Sequence, residues 1–201
     1  MVQKLLHHIV SNPYVYDRVQ QLVGAQLVRQ KLSAYLQPIV PDAVIVDLGG
    51  GTGNNRDLFS PDQHYICLDN DQLKLKGFRE KFPKDSGLRA DATRLPLQSN
   101  SVGLVLCTAV SHHIPDDSLD SFFSEAIRII KSEGRFVFLD AVWSPRRLPS
   151  RLLWRYDRGS YPRTLEKLQT TLARHGQILD WHTFAVYHRY VIAVVASTRV
   201  I

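Results

Sequence analysis

The run Val46-Asp47-Leu48-Gly49-Gly50-Gly51-Thr52-Gly53 decides the fold. It continues a short apolar stretch, Ala43 to Val46, that reads as a buried parallel strand. An acid stands at the strand end, and glycines then recur at alternate positions, Gly49, Gly51 and Gly53. Such spacing lets the backbone turn sharply off a strand and approach a ligand closely. It is not the dinucleotide fingerprint, because a G-x-G-x-x-G frame from Gly49 needs glycine where Asn54 stands. A carboxylate at the strand end suits a cofactor with a cationic, amine-bearing end. A diphosphate favours a bare helix N-terminus instead. The residues point to S-adenosylmethionine rather than NAD.

Length and composition fit one α/β domain over residues 1–201. A chain of 201 residues, 44% hydrophobic, can bury one sizeable core and needs no second. No apolar stretch approaches a membrane span. The start, Met1-Val2-Gln3-Lys4, leads into Lys4, His7, His8 and Asp17, unlike a secretory signal. Cys67 and Cys107 each fall inside an apolar run and read as buried, reduced thiols rather than a disulfide or metal ligands. A cytoplasmic location follows as the expectation, with no metal site.

Along the chain, strand-like runs alternate with helical ones, the pattern of a doubly wound parallel sheet. Residues 1–37 read as a helical cap, broken at Asn12-Pro13, with a second helix near Val15 to Leu36. Strands are predicted at 43–48, 64–68, 87–90, 102–107 and 135–141. A helix capped by Asp71 runs to about Phe82. After Asp116, Leu119, Phe122, Phe123, Ala126, Ile127 and Ile130 form one core-facing stripe, which Gly134 should end. A last helix spans Thr164 to His175, with Gly176 as its C-cap. Ile178 to Val186 and Tyr190 to Ala196 should pair as an antiparallel hairpin, which makes seven strands.

Five motifs in this order resemble the class I S-adenosylmethionine-dependent methyltransferases of small-molecule type, such as those of quinone and natural-product biosynthesis. They are Asp47 to Gly53, Cys67-Leu68-Asp69, Ala90-Asp91-Ala92, the Val110 to Asp116 segment with its His112-His113 pair, and Arg128 to Gly134. Each is weak alone, and their order covers about half the chain. The resemblance implies a Rossmann-like fold and S-adenosyl-L-methionine as cofactor. Such sequences usually carry an acid just before the fourth strand's apolar run, where this chain has Gly103.

For the cofactor, Asp69 stands 20 residues after Gly49, at a strand end where a carboxylate can accept from both ribose hydroxyls. Its alternative is a helix cap, a role that Asp71 fits better. Asp91 can accept from the adenine amine, with the Ala92 amide serving a ring nitrogen, or it is a solvated loop acid. Asp47, Gly49, Gly51, Gly53, Asn70 and Thr108 complete the expected cofactor set.

Methyl transfer is an in-line displacement from a sulfonium, so holding the reactants collinear supplies much of the catalysis. A base is required only when the nucleophile carries a proton. His112 follows the fourth strand and Asp140 ends the fifth, and ligands sit outside strand carboxyl ends in such sheets. In similar natural-product enzymes a histidine of the pair and an acid after strand five act together, which implies His112 and Asp140 here. The alternative is that His112 packs under the cofactor and Asp140 shapes a loop.

Of the net charge of +6, the segment from Arg146 to Arg163 carries +5, six arginines against Asp157. Arg147, Arg151, Arg155 and Arg158 fall on one helical stripe. Residues 142–163 read as a lid after strand five. The stripe is a solvated face, a peripheral surface for anionic lipid, or a wall gripping an acidic substrate. Tyr16, His113, Arg158 and Tyr161 are the candidate substrate contacts. The favoured reading is methyl transfer to a small, apolar or aromatic molecule. The alternative is a tRNA or rRNA methyltransferase whose basic lid holds phosphates. Against that alternative, the chain lacks the Asn/Asp-Pro-Pro-aromatic tetrapeptide of base-amino methyltransferases.

Overall fold

The computed structural model describes residues 24–39, 42–156 and 161–198. In chain order the elements are α1 (Ala25–Ser33), β1 (Ile45–Leu48), β2 (Tyr65–Asp69), α2 (Gln72–Lys81), β3 (Ser86–Arg89) and β4 (Val102–Thr108). They continue with α3 (Leu119–Ile129), β5 (Ile130–Val142), α4 (Leu148–Tyr156), α5 (Leu165–Ala173), β6 (Gly176–Ala185) and β7 (Arg189–Ser197). The strands form one sheet in the order β3-β2-β1-β4-β5-β7-β6. The first five run parallel, and β7 inserts antiparallel between β5 and β6. This is the seven-stranded, doubly wound α/β sheet with its C-terminal hairpin that the sequence predicts.

Side-chain alternation divides the core into two layers. Val46, Leu48, Val105 and Cys107 pack with α3 and α5, while Ile45, Leu104 and Leu106 pack with α1 and α2. In α3 the predicted stripe is buried from Leu119 through Ile127. Phe122 and Phe123, both inaccessible, each contribute about 1.5–3 kcal/mol by burial. Asp71 caps α2, its carboxylate accepting from the amides of Leu73 and Lys74. Both cysteines are buried and unbridged. Of the predicted Val15 to Leu36 helix, the part from Gly24 lies within the described residues; there the helix starts at Ala25, after Gly24 as a left-handed N-cap, and ends at Ser33, with Leu32 and Leu36 entering the core.

Several boundaries differ from the sequence reading by a few residues, and two of them have a direct physical cause. The α3 helix ends at Ile129 rather than Gly134, because Ile130 already pairs with Val102 on the neighbouring strand. Gly176 opens β6, and Arg174 is the C-cap of α5. Glycine is required at 176 for space, since a Cβ there would lie 2.6 Å from Val195 Cγ1 and 2.7 Å from the Ala196 carbonyl.

Gly103 has a similar explanation. A Cβ at 103 would sit 2.6 Å from the Ala43 Cβ, an atom with no rotamer to escape into. Introducing the acid usual in similar sequences, Gly103→Asp, should therefore destabilise the fold by about 1–3 kcal/mol. Denaturant unfolding measures this, and a variant as stable as wild type would refute the steric account.

Candidate active site

Strand order reverses between β1 and β4, so the loops after these two strands diverge and leave a crevice at their carboxyl ends. The β1 loop is the glycine run. Gly49, Gly51 and Gly53 adopt φ of 70°, 58° and 81°, a region that side chains disfavour. Close packing reinforces this at two of them. A Cβ on Gly49 would meet Val110 at 2.4 Å, and one on Gly53 would meet Phe78 at 2.5 Å. Gly51 is open by comparison, its nearest neighbours being Lys74 Cδ at 3.6 Å and Asp69 Oδ2 at 3.8 Å.

Asp69 closes β2 at the same edge. Its Oδ2 accepts from the Gly51 amide at 3.0 Å and its Oδ1 from the Asp71 amide at 2.9 Å. Each oxygen retains acceptor capacity, and the two bonds fix the carboxylate plane against the glycine loop. Asn70 is exposed beside it. Asp91 follows β3 and turns back on its own chain, Oδ1 accepting from the amide and hydroxyl of Thr93, both at 2.8 Å. Ala92 is half-buried in the same turn.

Asp47 is wholly buried and does not project into the crevice. Its Oδ2 accepts from Tyr65 Oη at 2.5 Å, and both oxygens accept from Asn55 Nδ2 at 3.2–3.3 Å. Asn55 Nδ2 also reaches Thr108 Oγ1 at 2.9 Å, joining the ends of β1 and β4. Burial pushes the Asp47 carboxyl up to about 6, and the hydrogen bonds from Tyr65 and Asn55 offset only part of that rise. Asn55 and Tyr65 are functional residues that the sequence pattern does not single out. Tyr65 carried one signal, a polar tip at an inward position of an otherwise apolar strand.

After β4, Ala109 takes φ 55° and the chain enters a short turn, Ser111–His113. The turn sets His112 against the end of β5. His112 Nδ1 lies 2.7 Å from Asp140 Oδ1, with both residues buried. Ser111 Oγ donates to Asp140 Oδ2 at 2.5 Å, and the Ala141 amide donates to Oδ1 at 2.8 Å. Burial alone would raise the Asp140 carboxyl, but the His112 charge and these hydrogen bonds hold it below the usual range. The aspartate is therefore ionised, and when the ring is neutral it keeps the imidazole hydrogen on Nδ1, so that Nε2 is the basic atom.

Aromatic rings surround this pair. The His113 ring lies tilted by 43° to that of His112 at 4.3 Å, and Trp154 of α4 meets His112 edge-on at 5.5 Å between ring centroids. Trp154 also meets His188 at 5.1 Å, and His188 is held by Ser150 at 3.0 Å. Tyr161 donates its amide to the His112 carbonyl at 3.0 Å, and its side chain is exposed. Tyr16 and Arg158 lie outside the described residues.

The arginine segment does not form one stripe. Arg163 is buried, its guanidinium bonded to Asp116 and to the carbonyls of Ser111 and Ile114. It braces the histidine turn rather than facing solvent. Arg147 precedes α4 and turns inward, donating to the Val186 carbonyl at 2.9 Å. Arg151 and Arg155 are exposed on α4. Arg163 stands outside the predicted stripe of Arg147, Arg151, Arg155 and Arg158, from which Arg147 departs among the described residues because it precedes the helix.

Known proteins share this fold to different extents. Residues 46–138 match the family model described as a methyltransferase domain. An uncharacterized methyltransferase-like protein of Schizosaccharomyces pombe, C25B8.10, is 31% identical over 106 residues, which is 52% of this chain and 39% of that protein. The chain thus spans well under half the length of that relative. A Haloferax volcanii methyltransferase, solved in complex with the activator Trm112, shares the fold at a TM-score of 0.74 and 15% identity, over 91% of this chain and 95% of its own. Geranyl diphosphate C-methyltransferase from Streptomyces coelicolor A3(2), solved with Mg2+, geranyl diphosphate and S-adenosyl-L-homocysteine, aligns at 0.72 and 13% identity, over 86% and 78%. Residues 46–138, a little under half of the chain, thus match a methyltransferase domain, and the sheet around them has the fold of solved methyltransferases.

Proposed function

We propose that the whole chain transfers a methyl group from S-adenosylmethionine to a small, apolar or aromatic acceptor. The observation that carries this reading is the buried His112–Asp140 pair beneath an aromatic wall, at the same sheet edge as the glycine loop and Asp69. The open face of Gly51 and the fixed Asp69 carboxylate fit the cofactor. Asp69 would take the ribose hydroxyls, with Asn70 beside it, and Asp91 and Ala92 would take the adenine. Gly49, Gly51 and Gly53 would admit the amino-acid end, with Thr108 opposite. Asp47 acts through Asn55 and Tyr65, contributing negative field rather than direct contact. The cofactor supplies an electrophilic methyl group on a sulfonium.

The chain's own contribution is to orient the acceptor and remove its proton. His112 Nε2 takes a proton from a hydroxyl or acidic carbon, and ionised Asp140 stabilises the imidazolium that results. Trp154, His113 and Tyr161 border the acceptor site and favour a flat or apolar molecule. The RNA reading loses support, because Arg163 is committed to Asp116 and Arg147 turns inward.

Two measurements test the proposal. Calorimetric titration with S-adenosylhomocysteine should show Asp69→Ala binding more weakly by about 1.5–3 kcal/mol, the worth of charge-assisted hydrogen bonds. Unchanged affinity removes Asp69 from the site. Incubation with methyl-labelled cofactor, a panel of phenols and apolar acids, and bulk tRNA and rRNA should place label in the small molecules. Label in RNA overturns the acceptor class.

A further inference from the structure

We propose that the outer face of α4 docks the protein on an anionic lipid bilayer. Leu148, Arg151 and Arg155 fall within about 60° of one another around the helix axis. All three are exposed, Leu148 at 72%. Trp154 and Ser150, about 90° and 130° around the axis from the centre of that face, are both buried against the hairpin and the histidine turn. Arg147 ties the start of α4 to the Val186 carbonyl, which sets the hairpin turn with its exposed Tyr187 and Arg189 beside the helix. From Ala141 to Tyr156 there are four arginines and no acid.

Charge and apolar exposure on one face select the occupant. A polyanion such as RNA is served by arginines alone, and an exposed leucine among them adds nothing to phosphate binding. A bilayer is recognised by both, with arginines at anionic headgroups and the leucine entering the acyl boundary. Among the described residues no helix is long and apolar enough to cross a membrane, so the contact is peripheral. The same helix packs its inner face on His112, so docking would hold the candidate site next to a reservoir of apolar molecules. Docking of this kind does not depend on methyl transfer, and its test needs neither cofactor nor acceptor.

The full chain is sedimented with vesicles of phosphatidylcholine alone, and with vesicles containing about one-third phosphatidylglycerol. Binding is expected to the anionic vesicles only, and to weaken with added salt. The double variant Arg151→Glu/Arg155→Glu should lower the partition coefficient about 25-fold or more, at about fivefold per arginine. Arg151→Gln/Arg155→Gln should fall in the same direction with an unchanged unfolding midpoint. Leu148→Ser should lower it about fivefold. Absence of binding to anionic vesicles overturns the proposal, as does full binding by either arginine pair variant. Wild-type affinity of Leu148→Ser, with tRNA held equally well, also overturns it and leaves a general polyanion surface.

Discussion

His112→Ala should lower turnover on a hydroxyl or carbon acid acceptor by about 10²–10⁴, the usual worth of general-base assistance. Cofactor affinity should stay near wild type, because all the proposed cofactor residues but Thr108 lie on other loops, and Thr108 ends β4 before the histidine turn begins. The expectation rests on the 2.7 Å contact between His112 Nδ1 and buried Asp140, which fixes the tautomer and leaves Nε2 basic. Asp140→Asn should reduce turnover in the same direction and by less, since its amide can keep the ring in place without stabilising the imidazolium. The pH profile separates catalysis from structure. Wild-type turnover should rise with pH as the imidazole loses its proton, and the His112→Ala profile should lack that limb. An amine acceptor already deprotonated at the site would be indifferent to both changes. Full turnover by His112→Ala on a hydroxyl acceptor would show that the histidine only packs beneath the site.

The parts of this site that were legible in sequence are those that local pattern encodes. Apolar runs set the strands, and the carboxyl ends of the strands mark the site edge, which is how Asp69, His112 and Asp140 could be picked out. The bracing residues were not legible. Asn55 lies in a polar loop without periodicity, and its bond to Thr108 exists only because the β1 and β4 loops face one another. Ser111 is masked by the more reactive pair that follows it, although it donates to Asp140. Arg163 entered the sequence reading only as one of the segment's six arginines, yet three backbone and side-chain acceptors draw it into the interior. Boundary errors have the same origin. Gly134 and Gly176 read as helix stops, while tertiary pairing ended α3 earlier and used Gly176 for close strand packing.

Replacing Asp47 by Asn should make stability less dependent on pH, and the sign of the effect can be derived. Asp47 holds its proton up to about pH 6 in the folded chain, against 3.8 for an ordinary aspartate. Between these values the native state binds more protons than the unfolded state, so stability contributed by this group falls as pH rises. Above pH 6 the folded chain carries a buried carboxylate at full cost. Asn removes that charge and can keep the network. Its oxygen would accept from Tyr65, and a flipped Asn55 amide would accept from the new Nδ2 and from the Thr108 hydroxyl. The unfolding free energy of Asp47→Asn, taken relative to wild type, should therefore rise by about 2–3 kcal/mol from pH 4 to pH 7. Other titrating groups are common to both proteins and cancel in the difference. Parallel pH curves would show that Asp47 ionises normally. A buried charge kept at such cost needs a functional return, and a cationic amine at the glycine loop would provide one. Saturating S-adenosylhomocysteine should accordingly raise the unfolding temperature of wild type more than that of Asp47→Asn at pH 7, with the gap closing below pH 6. Equal shifts at both pH values would remove Asp47 from cofactor recognition and leave it as a strut between β1 and β2.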